Sequence, residues 1–147
     1  MDTVPEKVAR SLTAESVDLI PFLPYLLQDL WELGSSPQDI GDLLVSYGQP
    51  TAETSVLDLG CGKGAVSVGL AQRLGCRCHG VDIFPEFVEY ARDKAKANGV
   101  DDLCEFRVAD ITSELNGYCD YDVVILGAVG DVLGNPYETL VRLRSFV

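Results

Sequence analysis

Three glycines at alternate positions, Gly60, Gly62 and Gly64, follow the run Ser55-Val56-Leu57-Asp58-Leu59. They precede a stretch in which Ala65, Val66, Val68, Leu70, Ala71 and Leu74 recur at helical spacing. Strand, tight turn and helix in immediate succession can grip a small molecule. Glycine lets backbone bend sharply and approach a ligand, and a helix start offers unpaired N–H groups and a positive dipole end. Asp58, inside the strand and two positions before the first glycine, adds a charge. A carboxylate there suits a ligand with a cationic amino group or another positive centre, and repels a pyrophosphate. A lone carboxylate within a buried strand is also costly unless it has a partner.

The same turn fits a second chemistry. Gly60-x-Gly62-x-x-Ala65 matches the dinucleotide fingerprint, and Asp82 lies 22 residues after Gly60, near the spacing of a ribose-binding acid. Lys63 could meet a phosphate, but Gly-Lys-Gly has neither the spacing nor the following Ser/Thr of a P-loop. Asp58 is the residue that separates the two chemistries.

The elements that position this turn alternate. Strands are expected at Ser55 to Leu59, Arg77 to Asp82, Cys104 to Val108 and Asp122 to Leu126, the last a bare aliphatic run as for a strand covered on both faces. Helices are expected from Lys63 to Leu74, from Pro85 to Asn98-Gly99, and from Pro136 to the end; Asp110 to Cys119 reads as irregular. Strands separated by helices imply right-handed crossovers: an α/β, Rossmann-like parallel sheet with helices on both faces and strand order 3-2-1-4. Ligands bind beyond the C-terminal strand ends in such sheets.

Residues 1–50 read as a helical N-terminal cap. The apolar run from Leu12 to Leu33 is broken by Pro21 and Pro24 into two short helices or a kinked one. Its apolar face is expected at Leu23, Leu26, Leu27, Leu30 and Trp31, with Gly34 as a stop. Tyr25 and Trp31 either pack on the core or wall a ligand. Ser36, Pro37 and Asp39 predict a further helix start, its buried face at Ile40, Leu43, Leu44 and Tyr47, and its end at Gly48 and Pro50.

A single domain is expected for 147 residues, 47% of them hydrophobic. The start Met1-Asp2-Thr3-Val4-Pro5-Glu6 lacks signal-peptide character, and no run has the length of a membrane span, so a cytoplasmic location is expected. The net charge of −12 is shared by both parts of the chain: residues 1–50 hold 8 acids and 2 bases. A field of that sign disfavours tight nucleic-acid binding. Cys61, Cys76, Cys78, Cys104 and Cys119 lack paired spacing and have only His79 as a further ligand, so structural thiols are expected and no metal site. His79 lies inside its strand rather than at the ligand-facing end, which favours a structural role.

Val56-Leu57-Asp58-Leu59-Gly60-Cys61-Gly62-Lys63-Gly64, Val81-Asp82, Ala109-Asp110-Ile111 and Tyr121-Asp122-Val123-Val124-Ile125-Leu126 together resemble the class I S-adenosylmethionine-dependent methyltransferases. The first block is similar to that family's Asp-x-Gly-x-Gly-x-Gly motif, and the acids follow in the family's order. The resemblance implies S-adenosylmethionine as cofactor and S-adenosylhomocysteine as product. It implies that Gly60, Cys61, Gly62 and Gly64 pass under the methionine part and Asp58 orients its amino group. It further implies that Asp82 accepts from both ribose hydroxyls, Ile83 and Ile111 press on opposite sides of the adenine, and Asp110 meets the adenine amino group. Gly127 and Ala128 line the sulfonium side by the same resemblance.

No catalytic residue is singled out; the candidates are Asp131 and Asn135 near strand four, and Tyr25 reaching in from the cap. Gly127-Ala128-Val129-Gly130-Asp131 differs from the Asn/Asp-Pro-Pro-Tyr of members that methylate nucleobase amines, which favours a small-molecule acceptor. The family's sheet has seven strands against four here, so residues 51–147 are expected to be its cofactor-binding half. Either truncation after the fourth strand or a natural short form is expected, with the acceptor half largely missing. Strand four then becomes an open edge, and homodimerisation through it or through the truncated face is expected. The alternative is a non-catalytic Rossmann-type nucleotide-binding or scaffold module.

Overall fold

Four short strands pair side by side at the centre of the chain, in a computed structural model that describes residues 3–11 and 14–147. These are β1 (Ser55–Leu59), β2 (Arg77–Asp82), β3 (Cys104–Val108) and β4 (Val123–Leu126), all parallel, in the order β3-β2-β1-β4. The reversal of order beside β1 opens the crevice in which such sheets hold ligands. β4 begins one residue later than expected because Asp122 is used as a clasp. Its carboxylate accepts from the Ser55 N–H (2.8 Å) and hydroxyl (2.9 Å), aligning β4 with β1.

α4 (Ala65–Leu74) and α5 (Pro85–Ala97) cover one face. Val68, Ala71, Val88, Ala91, Ala95 and Phe106 pack there, and Val56, Val66, Leu70, Cys76, Cys78 and Ile125 form the adjoining cluster. α4 starts at Ala65 rather than Lys63, because Gly64 is its N-cap in the left-handed region (φ +74°). A Cβ on Gly64 would lie 2.7 Å from Ala91 Cβ and 3.0 Å from the Phe106 ring. Left-handed strain and overpacking then act together, so Gly64→Ala is expected to cost about 3 kcal/mol of stability in urea unfolding.

On the opposite face Leu57, Leu59, Val81 and Ala109 meet Phe146 and the irregular Ile111, Leu115, Tyr118 and Tyr121. Here α6 (Pro136–Leu143) and a 3₁₀ turn (Arg144–Phe146) supply the helical cover. β4 is not buried on both faces as its aliphatic run suggested. Only Ile125 is buried, because β4 is outermost in the described sheet.

The N-terminal part departs most from expectation. α1 (Val4–Ser11) was not anticipated. The expected start at Leu12 lies outside the described residues. A 3₁₀ helix (Val17–Phe22) capped by Ser16 leads into α2, only Leu23–Leu26. Pro21 and Pro24 remove two N–H donors, so neither piece can lengthen. No continuous apolar face forms: Leu23 is buried while Leu26, Leu30 and Tyr25 are exposed. α3 (Pro37–Tyr47) starts as expected, with the Ser36 hydroxyl accepting from the Asp39 N–H. Its inner stripe is Pro37, Ile40, Gly41 and Leu44, and Leu43 and Tyr47 face outward. α3 touches α4 closely at Gly69 and Pro37 and is pinned by Arg73 to Asp42 at 2.6 Å, which leaves no room for a wider face.

Candidate functional site

Above the C-terminal ends of β1 and β2 lies a two-lobed cleft whose lobes share Gly60, Gly62, Leu33, Gly127 and Ala128. The larger lobe is mainly apolar. Ile83, Phe84, Phe87, Ala109 and Ile111 form its floor, Asp82 and Asp110 its polar points, and Val8, Leu23, Leu27, Val129 and Val132 its roof. The smaller lobe holds Asp58, Cys61, Trp31, Ser35 and the start of α4. Of the glycines expected at the ligand, Gly64 alone is absent from the lining, being spent on helix packing.

The glycine turn is stitched to β2. The Val81 carbonyl accepts from the N–H groups of Gly60 (2.8 Å) and Cys61 (3.0 Å). Asp82, 7% exposed, accepts from the Gly62 N–H (2.8 Å) through one oxygen and the Phe84 N–H (3.0 Å) through the other. Each oxygen keeps acceptor capacity for a second donor. Burial raises the Asp82 pKa, opposed by those backbone donors. Gly60 has φ +70°, and a Cβ there would collide with Val129 of the loop after β4. That loop carries its own strain at Ala128, a non-glycine residue at φ +56°, of the kind that clusters at ligand sites.

Asp58 is 3% exposed and accepts from the Ser67 hydroxyl at 2.7 Å. Burial, with a contribution from the Asp82 charge, pushes its pKa up to about 6 against the pull of Ser67. Asp110 organises its own turn. Its carboxylate accepts from the Thr112 N–H (2.8 Å) and hydroxyl (2.7 Å) and from the Ser113 hydroxyl (3.2 Å), while it also lines the larger lobe.

Lys63 turns away from the phosphate role that the dinucleotide alternative allows it. Its ammonium donates to the carbonyls of Leu27 (2.6 Å), Gln28 (3.0 Å) and Leu30 (2.6 Å). Asn135 is spent as the N-cap of α6 in a capping box with Glu138. Asp131 pairs with Arg10 at 3.5 Å, and Tyr25, 70% exposed, lies outside the cleft lining. His79 bonds the Tyr121 hydroxyl through Nδ1 on the other face of β2. Cys61 is a half-buried thiol with its pKa raised, chiefly by desolvation, so no nucleophilic role attaches to it. Sequence reasoning missed Ser67, Phe84, Phe87 and the roof residues Val8, Leu23, Leu27, Val129 and Val132, whereas Trp31, read as packing on the core or walling a ligand, does line the smaller lobe. Ser67 had a signal: it is the one hydroxyl in the otherwise apolar first turn of α4, facing a carboxylate in a buried strand.

Comparisons with known proteins agree with this architecture. A family profile described as a methyltransferase domain matches residues 50–147. A ribosomal protein L11 methyltransferase of Dechloromonas aromatica is 40% identical over 86 residues, covering 58% of this chain and 26% of that protein. The norajmaline N-methyltransferase of Rauvolfia serpentina is 37% identical over 65 residues, covering 44% of this chain and 22% of that protein. The chain thus spans about a quarter of the length of these curated relatives. A SAM-dependent methyltransferase of Thiobacillus denitrificans, solved with S-adenosyl-L-homocysteine, superposes with a TM-score of 0.72 over 87% of this chain and 50% of that one. At 22% identity it speaks for the fold alone. An RNA methyltransferase of Salinibacter ruber, also solved with S-adenosyl-L-homocysteine, gives a TM-score of 0.58 at 28% identity, covering 74% and 70% of the two chains. By the matched profile and a sheet ordered β3-β2-β1-β4, this chain belongs to the methyltransferase family in its class I, Rossmann-like form.

Proposed function

We propose that this chain binds S-adenosylmethionine in the two-lobed cleft and supplies the donor-binding part of a methyltransferase. The observation that carries this is the division of the cleft: an apolar lobe with two carboxylates suits a nucleoside, and a joined lobe with a buried carboxylate suits an amino-acid end. Asp82 takes the ribose hydroxyls, Ile83 and Ile111 flank the adenine, and Asp110 lies toward the adenine amino group. Asp58 orients the methionine amino group. Gly60 and Gly62 admit close approach, Cys61 lies beside them, and Gly127 and Ala128 form the side wall. Gly64 supports the turn from behind. When bound, the sulfonium supplies a methyl carbon already activated for in-line displacement. The protein's share is to bind, orient and exclude water, the last through Leu23, Leu27, Leu33 and Val129.

The acceptor is drawn from the surface. The net charge is −12, and bases near the cleft are engaged elsewhere: Lys63 on carbonyls, Lys94 over Trp31 at 4.8 Å, Arg10 on Asp131. That setting disfavours a polyanion and favours a small molecule. Residues 51–147 form the donor half and residues 1–50 a helical N-terminal cap, in a cytoplasmic protein. No helix among the described residues is long and apolar enough to cross a membrane. A second copy pairing along the outer edge of β4 is the favoured protein partner.

Calorimetric titration with S-adenosylhomocysteine, NAD and ATP tests the proposal. Micromolar binding of the first and none of the other two is expected. Preference for NAD would show that the turn holds a pyrophosphate, and would overturn the role of Asp58.

A further inference from the structure

Residues 23–35 cross over the cleft with little structure of their own. Beyond α2 the backbone runs through turns to Ser36, and Phe22, Tyr25, Leu26 and Leu30 face solvent. Such a segment has low local stability unless something fastens it. The fastening comes from the glycine turn itself. Lys63, 4% exposed, donates its ammonium to the carbonyls of Leu27, Gln28 and Leu30, over the Tyr90 ring at 4.7 Å. In return the Trp31 indole N–H donates to the Lys63 carbonyl at 3.1 Å. One residue is thus bonded to the segment through both its side chain and its backbone. Between these bonds and the following Leu33 the segment presents Leu27 and Leu33 to the cleft.

We propose that Lys63 is a positioning residue that latches residues 27–33 as a lid over the cleft, coupling closure of the lid to occupation of the glycine turn. This deepens the proposed donor-binding function and rests on it. The three carbonyls end no long helix and are offered to a single ammonium. An uncharged side chain at 63 leaves them to water, and the lid then loses its registry with the turn. Ligand under an unlatched lid escapes faster, so the loss falls on the off-rate.

The test combines amide hydrogen exchange with calorimetry on the full chain, for the parent, Lys63→Met, Lys63→Arg and Trp31→Phe. In the parent, S-adenosylhomocysteine is expected to slow exchange of residues 27–33. Lys63→Met is expected to speed that exchange roughly tenfold or more while β1 and α4 stay protected, and to weaken S-adenosylhomocysteine roughly tenfold or more. Lys63→Arg, which keeps the donors, recovers much of both, and Trp31→Phe gives a smaller effect in the same direction should Lys63→Met not fold. Unchanged exchange of residues 27–33 in Lys63→Met, or loosened exchange with unchanged affinity, overturns the latch. A parent that binds no S-adenosylhomocysteine and gains no protection on its addition overturns the coupling along with the donor function. Faster exchange of residues 27–33 in unliganded Lys63→Met then still upholds the fastening by Lys63, so the two failures are told apart.

Discussion

Replacing Asp82 with alanine is expected to abolish measurable S-adenosylhomocysteine binding, a loss of at least about 100-fold, or roughly 3 kcal/mol. Two effects add. The carboxylate is the proposed acceptor for the ribose hydroxyls, and hydrogen bonds to a charged group are worth about 1.5–3 kcal/mol. It also holds the Gly62 and Phe84 N–H groups, and so sets the glycine turn against the end of β2. Asp82→Asn separates the two. Its carbonyl oxygen can keep one backbone donor but its amide has no charge to offer, so an intermediate affinity is expected. Thermal melting guards against trivial unfolding: the Val81 carbonyl still stitches Gly60 and Cys61 to β2, so the alanine variant is expected to melt lower but cooperatively. A folded Asp82→Ala protein that binds S-adenosylhomocysteine as the parent does would remove Asp82 from the site.

The parts of this structure that could be read in the sequence are those decided locally. β1, β2 and β3 have the expected bounds because each short run lies between turn signals. Asp58 stood out because a lone carboxylate inside a buried strand is costly, Asp82 through its spacing from Gly60, and Asp110 through the resemblance to the methyltransferase family. The roof could not be read in this way. Its helices are 4 to 8 residues long, too short for periodicity to separate them from irregular chain. The role of Lys63 depends on carbonyls 33 to 36 residues earlier, a relation no local pattern encodes. Asp110 illustrates a different difficulty, since the same carboxylate caps its turn and lines the cleft, and one role does not exclude the other.

Asp58 should make both stability and affinity depend on pH, with opposite signs. Its carboxyl titrates near 3.8 in an unperturbed setting and at about 6 in the fold, because burial penalises the charged form. Between those values the folded protein holds more protons than the unfolded chain, so stability falls as pH rises through this window and levels off above 6. The total is about 3 kcal/mol for a wholly buried group, and Asp82, also raised, acts in the same direction. The neighbouring Cys61 thiol stays neutral throughout, its pKa being raised further. A bound ammonium reverses the preference, since it favours the ionised carboxylate. Affinity for S-adenosylhomocysteine is therefore expected to be flat above pH 6 and to weaken about tenfold per unit below it, with close to one proton released per ligand bound near pH 5. Calorimetry in buffers of different ionisation heat measures both quantities. Asp58→Asn, which cannot ionise, should melt higher than the parent at pH 7.5, bind weakly at every pH and release no proton. The fold thus carries an ionised Asp58 at neutral pH at a cost in stability that Ser67 offsets in part and a cationic ligand offsets further, and a pH-independent affinity in the parent would show that the amino end of the ligand lies elsewhere.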